Sequence, residues 1–185
     1  CALPICALDA TQTETDVEVP YDPQRIAILD LAALDILDGM GLGDRVVGCA
    51  STSIDYLAKY SEDENIENLG NIKEADLEAV MACEPDIIFI GGRLSSIFDD
   101  LNEIAPVVLL TTDTEIGLLE SVRKNASTIA SIFGKDEEIA QMLSGYEDRI
   151  AALKEAANGQ TAVIGMATSG SFNLLGNTGR LSLIV

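Results

Sequence analysis

The chain has 185 residues, 31 of them acidic and 11 basic, which gives a formal net charge of −20 at pH 7. A polyanion of this density is repelled by phosphate backbones and anionic lipids, so nucleic acid is excluded as an expected partner. The absence of histidine removes the commonest general base and the commonest zinc ligand from any site. A hydrophobic content of 48% in regular apolar runs predicts a folded protein with an acidic surface.

The first fifteen residues differ from the rest of the chain in composition. Residues 1–8 are apolar, and a polar stretch follows immediately. This order is typical of the end of an export signal, so we predict that residues 1–15 form a signal-derived or linker tail. Either Cys1 or Cys6 would be the residue that carries a lipid anchor, although the large Ile5 fits poorly before a lipidated cysteine.

Strands and helices alternate through the next hundred or so residues. Four short apolar runs are typical of strands buried on both faces of a sheet. They lie at residues 25–30, 45–49, 86–90 and 106–110. Helical spacing of apolar residues is found between them, at residues 31–40, 54–60, 74–83 and 94–104. This alternation predicts an α/β fold with a Rossmann-like, doubly wound parallel sheet.

The pattern changes after Thr112. Residues 115–133 and 136–158 are predicted to be helical, and the second helix is long for a connection between neighbouring strands. Strand-like runs at 161–167 and 172–175 then predict the start of a second sheet.

A glycine-flanked arginine follows the strand predicted at residues 86–90. Ligands of open α/β sheets bind beyond the carboxyl ends of the strands, where Gly91, Gly92 and Arg93 are expected. The glycines would let a ligand approach the backbone, and the guanidinium presents a fork of donors to an anionic oxygen. Arg180 lies in a similar loop after Gly179. The alternative is that these are ordinary surface arginines.

Other motifs point away from catalysis. The glycines at 39, 41 and 43 follow a helix instead of a strand, which does not match a dinucleotide fingerprint. Asp30 ends the first predicted strand, as in receiver domains, but the second carboxylate and the lysine of such a site are missing, so Asp30 is predicted to cap a helix or a turn. No nucleophile lies beside a base, and we predict a binding protein and not an enzyme.

Five ordered motifs resemble those of one family. They are Pro23-Gln24-Arg25-Ile26, the stretch from Leu42 to Gly48, the stretch from Asp76 to Val80, the stretch from Glu84 to Ile88, and the stretch from Ile132 to Lys135. In this order they resemble the iron-siderophore class of ABC-transporter solute-binding proteins. The resemblance covers nearly the whole chain, from about Val17 to Arg180.

The resemblance implies two Rossmann-like lobes joined by a long helix, with a ferric chelate in the cleft between them. The amino-terminal lobe would span residues 16–134, the connecting helix 135–158, and an incomplete start of the carboxy-terminal lobe 159–185. The abrupt apolar end of the chain is consistent with a truncated sequence.

The resemblance also implies functional residues and partners. Arg93 and Arg180 fall where the catecholate-binding branch places cleft arginines, with Gly91 and Gly92 beside the first. Glu78 falls where an exposed acidic residue meets the arginines of the permease. The expected function is extracytoplasmic capture of an anionic, catecholate-type ferric siderophore for delivery to an ABC permease, with no covalent cofactor and no metal bound directly by the protein. A haem- or cobalamin-binding relative, or less favourably an intracellular flavodoxin-like or receiver-type domain, stays an alternative.

Overall fold

The structure is a computed structural model and describes residues 2–113, 115–161 and 163–175. The helices within these ranges are α1 (Leu31–Gly39), α2 (Ala58–Glu62), α3 (Leu77–Ala82), α4 (Phe98–Asn102), α5 (Leu118–Ile132) and α6 (Asp136–Ala156). The strands are β1 (Ala2–Leu8), β2 (Glu14–Pro20), β3 (Ile26–Leu29), β4 (Val46–Cys49), β5 (Glu67–Asn68), β6 (Gly70–Asn71), β7 (Glu74–Ala75), β8 (Ile87–Gly91), β9 (Val107–Leu110), β10 (Ile164–Thr168) and β11 (Ser171–Leu175).

A seven-stranded sheet forms the centre of the fold, with the order β2-β1-β9-β8-β3-β4-β5. The five strands from β9 to β5 pair in parallel, whereas β1 is antiparallel to both β2 and β9. The predicted α/β class with a largely parallel central sheet is therefore confirmed.

Burial explains why the central strands are the clearest in the sequence. Every residue of β3 and β9 is buried, as are the first four residues of β8. Strands covered by helices on both faces need apolar side chains on both faces, which produces continuous apolar runs. Cys49 and Cys83 are buried in this interior.

The prediction of a tail at residues 1–15 is wrong for Ala2–Leu8. These residues form β1, which pairs along its whole length with β2 and through Leu8 with Leu109 of β9. Ile5 and Ala7 are buried, so the apolar character of this segment comes from its packing in the sheet. Cys6 is exposed within β1, opposite Asp16.

The chain divides into two compact units. Unit 1 comprises Cys1–Thr111 and Asn125–Asp136, and it contains the seven-stranded sheet. Unit 2 comprises Thr112–Lys124 and Glu137–Val185. It holds nearly all of the 21-residue α6 and the antiparallel β10–β11 hairpin. Within the described ranges, no helix is both long and apolar enough to cross a membrane.

Two glycines provide a test of packing in this fold. A Cβ on buried Gly48 of β4 would lie 2.7 Å from Leu69 Cδ2 and 3.0 Å from Cys83 Sγ, both in the interior. A Cβ on exposed Gly145 of α6 would have nothing within 4 Å.

We expect Gly48→Ala to lower the free energy of unfolding by about 1–3 kcal/mol through overpacking. Gly145→Ala should raise it by up to ~1 kcal/mol through helix propensity. Urea unfolding measures both changes, and an unchanged midpoint for Gly48→Ala would contradict the described packing.

Candidate functional site

The carboxyl ends of the parallel strands in unit 1 meet at one edge of the sheet. Asp30 follows β3, Ser51 lies just after β4, Gly92 and Arg93 follow β8, and Thr111 follows β9. Parallel pairing places these residues side by side although they are distant in sequence. In open α/β sheets this is the edge at which ligands bind.

Asp30 is fixed at the centre of this edge. Its side chain caps α1, because Oδ1 accepts a hydrogen bond of 2.9 Å from the backbone N–H of Ala33. A Cβ placed on Gly91 would lie only 2.5 Å from Asp30 Oδ2, so the second oxygen lies against the backbone of β8. Burial raises the pKa of this carboxyl group, while the hydrogen bonds from the first turn of α1 and the charge of Arg93 act in the opposite direction. The predicted capping role of Asp30 is confirmed.

Glycine is required by close contacts at both positions before Arg93. A side chain at Gly91 would collide with the Asp30 carboxylate, and a Cβ at Gly92 would lie 2.9 Å from Thr111 Cγ2. The carbonyl oxygen of Gly92 also accepts a long hydrogen bond of 3.5 Å from Gln12 Nε2. Both glycines are half-buried. They let β8 end close to the neighbouring strands, which brings Arg93 to the sheet edge.

Arg93 is exposed in the short 3-10 segment that follows β8. Among the residues that the structure describes, none forms a hydrogen bond or an ion pair with its guanidinium. By contrast, the guanidinium of Arg45 contacts Asp22 at 2.5 Å, and that of Arg25 donates to the carbonyl oxygens of Cys83 and Glu84. The donors of Arg93 are therefore available to an anionic ligand, whereas the donors of Arg25 and Arg45 are used in contacts within the protein.

The remaining predicted site residues lie elsewhere or outside the description. Glu78 is exposed in the first turn of α3, after Asp76, whose carboxylate accepts hydrogen bonds from the N–H groups of Glu78 and Ala79. Because α3 leads into the amino end of β8, its first turn lies toward the same carboxyl edge as Arg93. Gly179 and Arg180 lie outside the described residues.

Sequence reasoning missed two neighbours of Arg93. It assigned Asp30 to a capping role only, although ligands of open α/β sheets bind at the carboxyl ends of the parallel strands. Gln12 belonged to the predicted tail, and no motif links it to Gly92, 80 residues away.

A second polar cluster in unit 1 satisfies its own hydrogen bonds. Asp38 Oδ1 accepts hydrogen bonds from Lys59 Nζ at 2.5 Å and from the Tyr60 hydroxyl at 2.6 Å. Burial and the Asp38 charge raise the pKa of Tyr60, which keeps the hydroxyl protonated as a donor. This cluster ties α1 to α2. In the part of the chain that the structure describes, no group of three histidine, cysteine or acidic side chains is arranged to hold a metal ion.

This chain is similar to known proteins in both sequence and fold. The periplasmic binding protein family matches residues 26–181. The petrobactin-binding protein YclQ of Bacillus subtilis strain 168 is 32% identical over 170 residues, which cover 90% of this chain and 53% of YclQ. YhfQ of the same organism, a putative ABC transporter substrate-binding lipoprotein, is 26% identical over 86% of this chain and 47% of its own length. The chain thus spans about half the length of these relatives.

Solved structures show the same fold. The crystal structure of YclQ superposes with a TM-score of 0.86 and 30% identity, over 98% of this chain and 64% of that one. The catecholate-siderophore binding protein VctP of Vibrio cholerae superposes with a TM-score of 0.84 over 100% of this chain and 64% of VctP, and its identity of 22% makes this a likeness of fold alone. Since the family match starts at the first residue of β3 and extends over most of the chain, the chain belongs to the periplasmic binding protein family.

Proposed function

We propose that this chain is part of a solute-binding protein, not an enzyme, that captures an anionic ferric siderophore of the catecholate type. The observation that carries the proposal is the exposed Arg93 guanidinium at the carboxyl edge of the sheet, with two glycines beside it. Hydrogen bonds from arginine to anionic oxygens are charge-assisted, and a ferric catecholate presents several such oxygens. The similarity to YclQ, a petrobactin-binding protein, supports the siderophore class.

The neighbouring glycines position the arginine. Gly91 and Gly92 are half-buried against Asp30 and Thr111, and they bring the exposed Arg93 to the sheet edge, where a bulky chelate can reach its guanidinium. Arg180 is proposed as a second cationic contact, because it occupies a comparable glycine-flanked position in the sequence. The iron would arrive inside the chelate as cargo, without direct ligands from the protein.

Titration of the purified protein tests this function. The chain has 4 tyrosines and no tryptophan, so tyrosine fluorescence can be followed during additions of a ferric tris-catecholate, haem and cobalamin. We expect saturable quenching by the ferric catecholate and none by the iron-free chelator at the same concentration. Saturable binding of haem or cobalamin alone would instead favour the alternative ligand classes of this fold.

We further propose that the protein works outside the cytoplasm and delivers its ligand to an ABC permease. The family is described as periplasmic binding proteins, and the similar YhfQ is named as a substrate-binding lipoprotein. Contact with the membrane would then occur through the permease or through a lipid anchor.

Glu78 is the residue that we propose for permease docking in unit 1. Its side chain is exposed on the first turn of α3. We expect Glu78→Arg to reduce siderophore uptake in reconstituted vesicles at least severalfold, because a like charge would then face the basic residues of the permease. Affinity for the ferric siderophore should not change, since Glu78 is not among the residues around Arg93.

The matched control is Glu64→Arg, which makes the same charge reversal at another exposed position of unit 1. Uptake with this variant should remain close to that of the wild type. Equal uptake by the Glu78 and Glu64 variants would remove Glu78 from the docking surface.

A further inference from the structure

A fixed negative charge lies close to the proposed ligand-binding arginine. Both oxygens of the Asp30 carboxylate are constrained, one by the N–H of Ala33 and the other by contact with the backbone at Gly91. The carboxylate therefore cannot turn away without uncapping α1. Rotation toward β8 is also blocked by the close approach of that strand.

Asp30 and Arg93 do not form a direct ion pair. The salt bridges within the described residues do not include this pair, so their charged atoms are separated by more than 4.0 Å. Burial raises the pKa of the Asp30 carboxyl group, and the charge of Arg93 acts on it in the opposite direction. Arg93 thus keeps its donors for a ligand, and the Asp30 carboxylate lies against the backbone two residues before it.

The Asp30 carboxylate lowers the positive electrostatic potential that Arg93 produces at the proposed binding site. An isolated arginine would attract every additional negative charge on a chelate. A nearby fixed carboxylate offsets that attraction, and the offset grows with the number of negative charges on the ligand. Partial burial strengthens the effect, because fewer water molecules screen the carboxylate.

We propose that Asp30 is a specificity-determining residue, which limits how strongly the site prefers highly charged ferric chelates over neutral ones. This inference rests on the proposed siderophore function. In this proposal Asp30 does not form a hydrogen bond with the ligand. It affects the affinity for the ligand only through its charge. It would let the protein release a multiply charged chelate that a purely cationic site would retain.

The test compares two chelates of different charge. Asp30→Asn removes the charge while asparagine remains a good N-cap, so α1 should persist. We expect its affinity for a ferric tris-catecholate with three negative charges to rise about tenfold, and its affinity for a neutral ferric tris-hydroxamate to stay within about twofold. Asp30→Ser, a second neutral capping variant, should shift the ratio of the two affinities in the same direction.

Asp35→Asn is the matched control, because it removes a carboxylate from an exposed position of the same helix. It should leave the ratio of affinities unchanged. An unchanged ratio in both Asp30 variants, with normal binding by the wild type, would overturn the specificity role alone. Binding of neither chelate by the wild type would overturn the proposed function and the inference with it.

Discussion

Arg93→Ala should weaken binding of a ferric tris-catecholate by tens-fold or more. The guanidinium is exposed at the sheet edge, and its donors are not used by the described residues around it. On binding, a bulky chelate would displace water from Arg93, which increases the strength of each charge-assisted hydrogen bond. Truncation of one member of a desolvated charge pair typically costs about 2–5 kcal/mol. Titration by fluorescence quenching measures the loss directly.

Two further variants separate the role of Arg93 from a general effect of charge. Arg149→Ala removes the same charge from an exposed position of α6 and should leave affinity within about twofold. Arg93→Lys keeps the charge but loses the planar fork of donors, so its affinity should lie between those of the wild type and the alanine variant. Equal affinity of the wild type and Arg93→Ala would refute a role for Arg93 in binding.

The central strands could be predicted because burial on both faces of the sheet produces continuous apolar runs in the sequence. A strand such as β8 is covered on both faces, so nearly all of its residues are apolar, and Pro85 marks its beginning. Helix starts were less exact. The helix predicted from residue 115 begins at Leu118 because Gly117 adopts a φ of +86°, which interrupts the helical backbone.

The amino-terminal hairpin shows the limit of such local evidence. β1 contains Pro4, which is unusual inside a strand, and it pairs with β9 through one residue only. Its remaining pairing is to β2 at the edge of the sheet. The mostly polar sequence of β2, its main partner, does not indicate a buried strand, so an apolar segment with a proline and a cysteine looked like the end of an export signal.

The site could be predicted only in part for the same reason. Gly91, Gly92 and Arg93 form a local motif after a strand, so the sequence indicated them. The proximity of Asp30 depends on the parallel pairing of β3 with β8, in which Leu29 lies opposite Ile90. Nothing within a short window around Asp30 specifies that strand β8, about 60 residues later, becomes its neighbour.

Phe89→Ala should produce the largest loss of stability, because this side chain lies fully buried in the strand that leads to the site. Phe89 is opposite Ile28 of β3 and Val108 of β9, so its removal leaves a cavity at the centre of the sheet. We expect the free energy of unfolding of unit 1 to fall by about 3–5 kcal/mol.

Phe172→Ala makes the same substitution at a side chain that is 66% exposed and should cost less than ~1 kcal/mol. Urea unfolding followed by the fluorescence of tyrosine, including the buried Tyr60, reports the difference. Equal losses for the two variants would mean that β8 is not the centre of the core.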